Sequence, residues 1–585
     1  MRSNTACLRF GPFQLDPSER LFLRGDREIH LASKLFDTLL FLVQNAGRLV
    51  EKEALMRSVW RETFVEESSL THSVSVLRKL LNDGREGNRY IETVPRHGYR
   101  FVAPVELYER AIRGQADSGR QTLHSLAVLP LVSLSRGKNQ DYFAHGMTEA
   151  LITELAQITP LRVISRTSVM AYANARKPLP QIAKELNVEG IVEGTVLRSG
   201  RRVRVTAQLL HGPSDRHLWA SSYERDLRDV LILQKELAES IANEICGQLK
   251  TPPRRERKSA SRYSVGAYDA YLKGRYCWNQ RTEEGLNKSI EFYRQALSKD
   301  SRYALAYAGL ADSYALLGSR RLGGIVPSQA MFKAQEAAKK ALGLDETLAE
   351  AHLSLAFVKF QFEWDWAGAE KEFCRAIDLS PNSATSHYRN GMYLATMSRM
   401  SEAMSELNRA RELDPLSPIV LTAQGRLLHF QRRYDDAIEW HRKALAISPN
   451  FVEAHFNLGM VYEQKSMFPE AISQFGKVSR IAGTRASFWS AGLGHAYGLA
   501  GMSKQARNIL KQLLEVTSPL SPISPFDIAW VYLGLGEKDA ALTWMDTAFA
   551  ERCTPLVYQD IEPALDPLRS DPRFQNLLQR MKLSH

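Results

Sequence analysis

The chain has 585 residues, 44% hydrophobic and 24% charged, with a formal net charge of +12. That length predicts several domains, and the balance is ordinary for a soluble protein. The basic surplus permits nucleic-acid contact without requiring it. Five cysteines with no CxxC pair, and no histidine cluster at zinc spacing, argue against a disulfide framework or a metal site and for a reducing compartment. The first residues, MRSNTACLRFGPF, lack the apolar core of a signal peptide. No run approaches the ~18 apolar residues that span a bilayer. Together these features predict a cytoplasmic protein with no membrane partner.

In chain order, the first informative stretch is SSLTHSVSVLRKLLN. At about 100° per residue, Leu70, Val74, Leu77 and Leu81 share one stripe, which predicts an amphipathic helix with that stripe buried. Ser68, His72, Ser75 and Lys79 fall opposite, with Thr71 and Arg78 on the flank. Short polar side chains let a helix backbone approach base edges, and Arg and Lys reach phosphates. Tyr90–Val94 then alternates as a strand, and Pro95-Arg96-His97-Gly98 reads as a turn, with Gly98 supplying a permissive backbone. Tyr99–Val102 returns as a second strand. Arg96, His97 and Arg100 therefore sit at or near an exposed hairpin tip, with Thr93 on the strand leading to it.

LTHSVSVLRKLL followed by YIETVPRHGYRFVAPV resembles the winged-helix DNA-binding domains of OmpR/PhoB type, in the variant of CadC- and ToxR-like regulators. The resemblance implies a recognition helix presenting Ser68, Thr71, His72, Ser75, Arg78 and Lys79 to double-stranded promoter DNA. It implies a wing presenting Thr93, Arg96, His97 and Arg100. Upstream, it implies an antiparallel sheet over Leu8–Leu31, helices over Ser33–Asn45 and Lys52–Trp60, and a loop at Phe64–Glu67 that contacts RNA polymerase in some members. Residues 1–105 hold 16 Lys and Arg against 13 Asp and Glu, a surplus of only three. So weakly basic a module is expected to gain affinity as a dimer on repeated half-sites. Where CadC- and ToxR-like proteins carry a membrane helix, residues 106–124 read as a polar linker. No receiver domain is apparent, which disfavours a direct phosphorelay.

Residues 125–249 alternate strands with helices. Ser125–Leu134 is an apolar strand. Tyr142–Ile158 is a helix with Phe143, Met147, Leu151, Leu155 and Ile158 on its stripe. Leu161–Ser165 is a strand and Pro180–Leu186 a short helix. Val188–Leu197, Arg202–Leu210 and His217–Arg225 form a meander, and Asp229–Leu249 closes as a helix. The segment resembles the TolB-like domain of bacterial multidomain regulators and cyclases, which implies a sensing or contact module. His145, Glu149, Asp215 and His217 are polar candidates, but no nucleophile elbow, P-loop or dinucleotide fingerprint accompanies them. Arg201, Arg202 and Arg204 read as a charged strand edge. Residues 250–264, rich in Pro and charge, read as a second linker.

Residues 265–585 repeat. Ala369, Ala403, Ala437 and Ala471 are 34 apart, as are Pro381, Pro415 and Pro449, and Gly391, Gly425 and Gly459. Thirty-four is the tetratricopeptide period. Small residues let paired helices approach, large ones such as Leu458, Tyr462 and Phe475 fill between them, and proline stops the second helix. About eight helix pairs are expected, forming a superhelix whose groove takes a peptide, a protein or another copy of the chain. The ending, Ile561–Met581, is expected to cover the last repeat's apolar face.

The predicted fold is therefore multidomain: an α+β winged helix, an α/β TolB-like domain and an all-α tetratricopeptide superhelix. The predicted function is sequence-specific DNA-binding regulation of transcription, with the remaining parts serving sensing, protein contact or oligomerisation. No enzyme motif, catalytic residue, cofactor or metal ligand is assigned. The alternative is an interaction scaffold whose winged domain docks proteins, for which Ser75 and Val76 at arginine-bearing family positions leave room.

Overall fold

A computed structural model describes residues 7–17, 21–25, 27–29, 31, 33–59, 67–83, 89–95, 97–108, 123–135, 141–157, 161–173, 177–246, 264–319, 325–482, 487–515 and 523–583. The chain divides into two compact units, residues 1–119 and 120–585.

In the first unit, β1 (Cys7–Phe10), β2 (Phe13–Asp16), β3 (Leu21–Arg24) and β4 (Arg27–Glu28) form an antiparallel sheet. Then follow α1 (Ser33–Gln44), β5 (Leu49–Glu51), α2 (Lys52–Val59) and α3 (Glu67–Leu80). β6 (Ile91–Val94) and β7 (Gly98–Phe101) make a hairpin that pairs with β5. Residues 106–108, expected to begin a linker, instead form β8 (Glu106–Tyr108), which pairs with β1 and adds a fifth strand to the first sheet. Three residues carry too little pattern to declare a strand; the free edge of β1 recruits them. Leu70, Val74, Leu77 and Leu81 are all buried against α1, β5 and the hairpin. An aromatic cluster ties the first sheet to the hairpin: Phe10 meets Phe101 edge-on at 5.0 Å, and Phe13 meets Tyr90 at 5.6 Å.

The second unit opens with a mixed sheet. β9 (Ser125–Val128) lies between β11 (Arg162–Val163) and β12 (Gly190–Ser199), parallel to both, with β10 (Val132–Ser133) also on β12. β13 (Arg202–His211) and β14 (Arg216–Asp226) complete an antiparallel meander. α4 (Asp141–Ala156) and α7 (Val230–Cys246) pack on it, joined by α5 (Arg166–Met170) and α6 (Leu179–Leu186). Phe143, Met147, Leu151 and Leu155 are buried as their spacing predicts, while Ile158 lies outside the described residues. α5, a single turn and a half, is too short to show a periodicity of its own. Arg202 and Arg204 pair with Glu224 across the sheet.

Among the described residues the remainder forms eight helix pairs and a closing segment. The pairs are α8 (Val265–Trp278) with α9 (Glu283–Lys299), α10 (Ala304–Gly318) with α11 (Pro327–Leu344), and α12 (Ala349–Val358, extended by a π turn over Lys359–Glu363) with α13 (Trp366–Leu379). Next come α14 (Ala384–Thr396) with α15 (Met400–Leu413), and α16 (Pro418–Phe430) with α17 (Tyr434–Ile447). The last are α18 (Val452–Gln464) with α19 (Phe468–Ala482), α20 (Ser487–Leu499) with α21 (Ser503–Glu515), and α22 (Pro525–Gly534) with α23 (Lys538–Ala550). Ala369, Ala403, Ala437 and Ala471 are fully buried. A Cβ on Gly459 would come within 2.7 Å of Phe475, so glycine sets how closely that pair approaches. The turn inside each pair repeats too: Trp364, Ser398, Arg432 and Ser466 adopt positive φ at the 34-residue period, continued by Gly501 and Gly536.

The mixed sheet and the array share a polar seam. The Ser165 amide donates to the Leu413 carbonyl (2.7 Å), and Asn382 Nδ2 donates to the carbonyls of Ala156 (2.8 Å) and Leu161 (2.9 Å). Asp414 accepts from the Ser168 amide (3.0 Å) and hydroxyl (2.6 Å).

The closing segment follows a different path from the one expected. It touches the last repeat, through Arg573–Asp539 and Arg580–Asp546 at 2.7 Å each, but it also runs back across the inner face of earlier pairs. Tyr558 stacks on Phe430 at 5.8 Å, Glu562 meets His429 at 2.8 Å, and Trp366 Nε1 donates to the Met581 carbonyl at 2.9 Å. Leu565, Leu568, Phe574 and Leu577 are buried in the same core as Phe360 and Leu427. Part of the expected groove is thus filled by the chain's own end, because the curl of the array brings apolar inner faces within reach of this segment.

Candidate nucleic-acid interface

The outward face of α3 is made by spacing. With Leu70, Val74 and Leu77 turned into the core, Thr71, His72, Ser75 and Lys79 are left exposed. Ser68 lies in the first turn of the helix. Among the described positions of this face only Lys79 is cationic, and it stands in the last turn.

Arg78 is placed differently. Its Nη2 and Nε donate to the Ile91 carbonyl (2.8 and 3.2 Å), Nη2 also donates to Thr93 Oγ1 (2.7 Å), and Nε lies 3.6 Å from Asp83 Oδ2. The guanidinium therefore ties the helix to β6. Asp83 completes the tie by accepting from the amides of Tyr90 (2.8 Å) and Ile91 (3.2 Å).

A C-terminal cap positions that carboxylate. Asn82 turns into the left-handed region (φ 54°), the Asp83 amide reaches back to the Arg78 carbonyl (2.9 Å), and the Asn82 amide to that of Lys79 (3.3 Å). This is a Schellman arrangement, with asparagine where glycine is commonest. The signal in the sequence is an acidic residue, Asp83, five positions after Arg78 at the exit of the helix.

On the hairpin, Thr93 is exposed but engaged by Arg78, and His97 is exposed at the tip with its amide on the Val94 carbonyl (3.1 Å). Arg96 lies outside the described residues, as do residues 64–66 of the loop assigned to RNA polymerase. Arg100 is half-buried and directed at Glu92, with Nη1 to Oε2 at 3.5 Å. Gly98 has a different role from the one expected. A Cβ there would fall 2.0 Å from the Val50 carbonyl oxygen, so glycine is required for β7 to approach β5.

A polar, short-chained helix face beside a hairpin, fixed to it by an internal arginine and carried on a three-helix core, is a winged-helix DNA-binding domain. Residues 26–101 match the family described as transcriptional regulatory protein, C terminal, and residues 425–466 match the tetratricopeptide repeat. The chain is similar to the transcriptional regulator HilA of Salmonella typhi, 26% identical over 420 residues that cover 71% of this chain and 72% of that protein. A protein of Rhizobium meliloti (strain 1021) that carries an adenylate cyclase name is 30% identical over 232 residues, 40% of this chain and 39% of that one. The solved DNA-binding domain of E. coli CadC is 35% identical, with 18% of this chain and 97% of that chain covered and a TM-score of 0.17. The homologues are by name mostly regulators of transcription, among them the activator CadC of Escherichia coli and the cholera toxin transcriptional activator of Vibrio cholerae. No helix among the described residues is long and apolar enough to cross a membrane.

Proposed function

We propose that the chain is a cytoplasmic, sequence-specific DNA-binding regulator of transcription that acts without catalysis. Ser68, Thr71, His72 and Ser75 on α3 read base edges in the major groove, and Lys79 holds a phosphate beside them. Arg96 and His97 on the wing grip the neighbouring backbone. Arg78 and Thr93 act by holding helix and wing in register, and Arg100 by bracing the hairpin on Glu92, not by touching DNA. Two copies bind repeated half-sites, the loop at 64–67 meets RNA polymerase, and the middle domain and array receive the input or a protein partner. The observation that carries this reading is the exposed Ser/Thr/His face next to a wing locked to it by Arg78 and Asp83.

A competition gel shift with the full chain tests it. Specific binding is expected to survive competitor duplex. Lys79→Ala is expected to weaken binding to all sequences alike and to lower the salt slope by about one per copy. Absence of any duplex binding would favour protein docking by the winged domain.

A further inference from the structure

Where the early helix pairs meet the mixed sheet, the interior of the array holds a cavity of about 550 Å³, inside the range of roughly 300–1,000 Å³ typical of small-molecule sites. The closing segment supplies one wall through Tyr558 and Gln559, which makes the cavity a partly closed chamber inside the array. Two guanidiniums face it from the early pairs. Arg281 lies 3.6 Å over the Trp278 ring, and Arg389 lies 4.8 Å over Phe357. A guanidinium held over a ring face keeps its N–H donors available for an anion.

At Arg389 those donors are under-used. Arg389 is only 6% exposed, yet its Nη1 has no hydrogen-bond partner among the described residues; its Nη2 reaches Asp312 at 3.1 Å. The Arg281 side chain is exposed and lines the cavity, with its guanidinium over the Trp278 ring. Behind them, Arg166 and Arg275 share one carboxylate, Glu149 (Nε to carboxylate oxygen 3.7 and 2.9 Å). Four guanidiniums thus stand against two carboxylates, Glu149 and Asp312. Desolvation against the cavity wall and the charges of Arg389 and Arg275 pull Arg281 below the ordinary arginine range, while Asp312 opposes them. A buried donor with no acceptor is costly, and an anion at this end would relieve both that cost and the charge excess. The acids that line the cavity, Glu453, Asp527 and Glu562, belong to later pairs and the closing segment, where Arg426 is the lining cation, so the surplus of guanidinium over carboxylate lies at the Arg281 and Arg389 end. Its apolar walls are aromatic: Phe456, Phe526, Trp530 and Tyr558.

We propose that this chamber binds a small molecule with an oxyanion head, carboxylate or phosphate, and a flat apolar body, the head seated between Arg281 and Arg389. The site is independent of the DNA-binding reading.

Calorimetry on the full chain with phenyl phosphate and with benzoate tests it, the two arms separating phosphate from carboxylate. At least one probe is expected to bind at one site per chain, while benzyl alcohol does not. Arg281→Ala is expected to weaken binding at least tenfold and leave the melting temperature unchanged. Arg389→Gln, which keeps a donor, is a second variant with the same expected direction. The proposal is overturned if neither probe saturates, if both variants bind as the parent does, or if an acidic peptide binds and both small probes fail.

Discussion

His441 shows how a single residue can run against its surroundings. It occupies the place that Phe373, Leu407 and Phe475 take in neighbouring repeats, and it is fully buried with neither ring nitrogen hydrogen-bonded. Burial, helped by His429 and Arg426, pulls its pKa down to about 3. The unfolded chain therefore takes up a proton below about pH 6.5 that the folded array refuses until about pH 3, so this group's contribution is present above that window and is lost as pH falls through it. His441→Leu is expected to stabilise the array by about 1–3 kcal/mol and to flatten its loss of melting temperature between pH 6.5 and 4, measured by calorimetry. Arg78 makes the opposite point. Helical spacing placed it on the flank of α3 beside exposed neighbours, and nothing local told that its fork would turn to Ile91 and Thr93. A double-mutant cycle of Arg78→Ala with Asp83→Ala is expected to give a coupling of about 1–2 kcal/mol in stability. Additive effects would return Arg78 to the set of direct DNA contacts.

At the level of elements, what could be read in advance was whatever repeats or alternates. The stripe Leu70, Val74, Leu77, Leu81 is buried, the alanines at 34-residue spacing are buried, and the meander over β12–β14 is present. Elements set by distant partners could not be read. β8 exists because β1 offers an edge, α5 packs where Asp414 meets Ser168, and the closing segment lies on faces more than a hundred residues upstream. The turn between paired helices is a further case, since its left-handed residue is Trp364, Ser398, Arg432 and Ser466 in successive repeats and glycine at 501 and 536. A non-glycine residue there costs about 1–2 kcal/mol. Ser398→Gly is therefore expected to raise the array's melting midpoint and Ser398→Val to lower it; the reverse order would place that strain elsewhere.

Across the whole molecule, the second unit joins a mixed sheet to the array through groups that titrate. Burial raises Asp414 to about 6 against the pull of its hydrogen bonds from Ser168. A raised carboxyl favours the folded seam most at pH below its ordinary value near 4, and that contribution fades as pH rises through 6. The protection factor of the Ser168 amide, corrected for intrinsic exchange, is expected to fall between pH 5 and 7 in the parent chain and to stay level in Asp414→Asn. The central claim, that the outward face of α3 reads bases, is tested most directly by selecting bound sequences from random duplexes with the full chain and with Ser75→Arg. The account predicts one recovered motif for the parent and a changed base preference, confined to one position in each half-site, for the variant. Recovery of the same motif by both chains would contradict it.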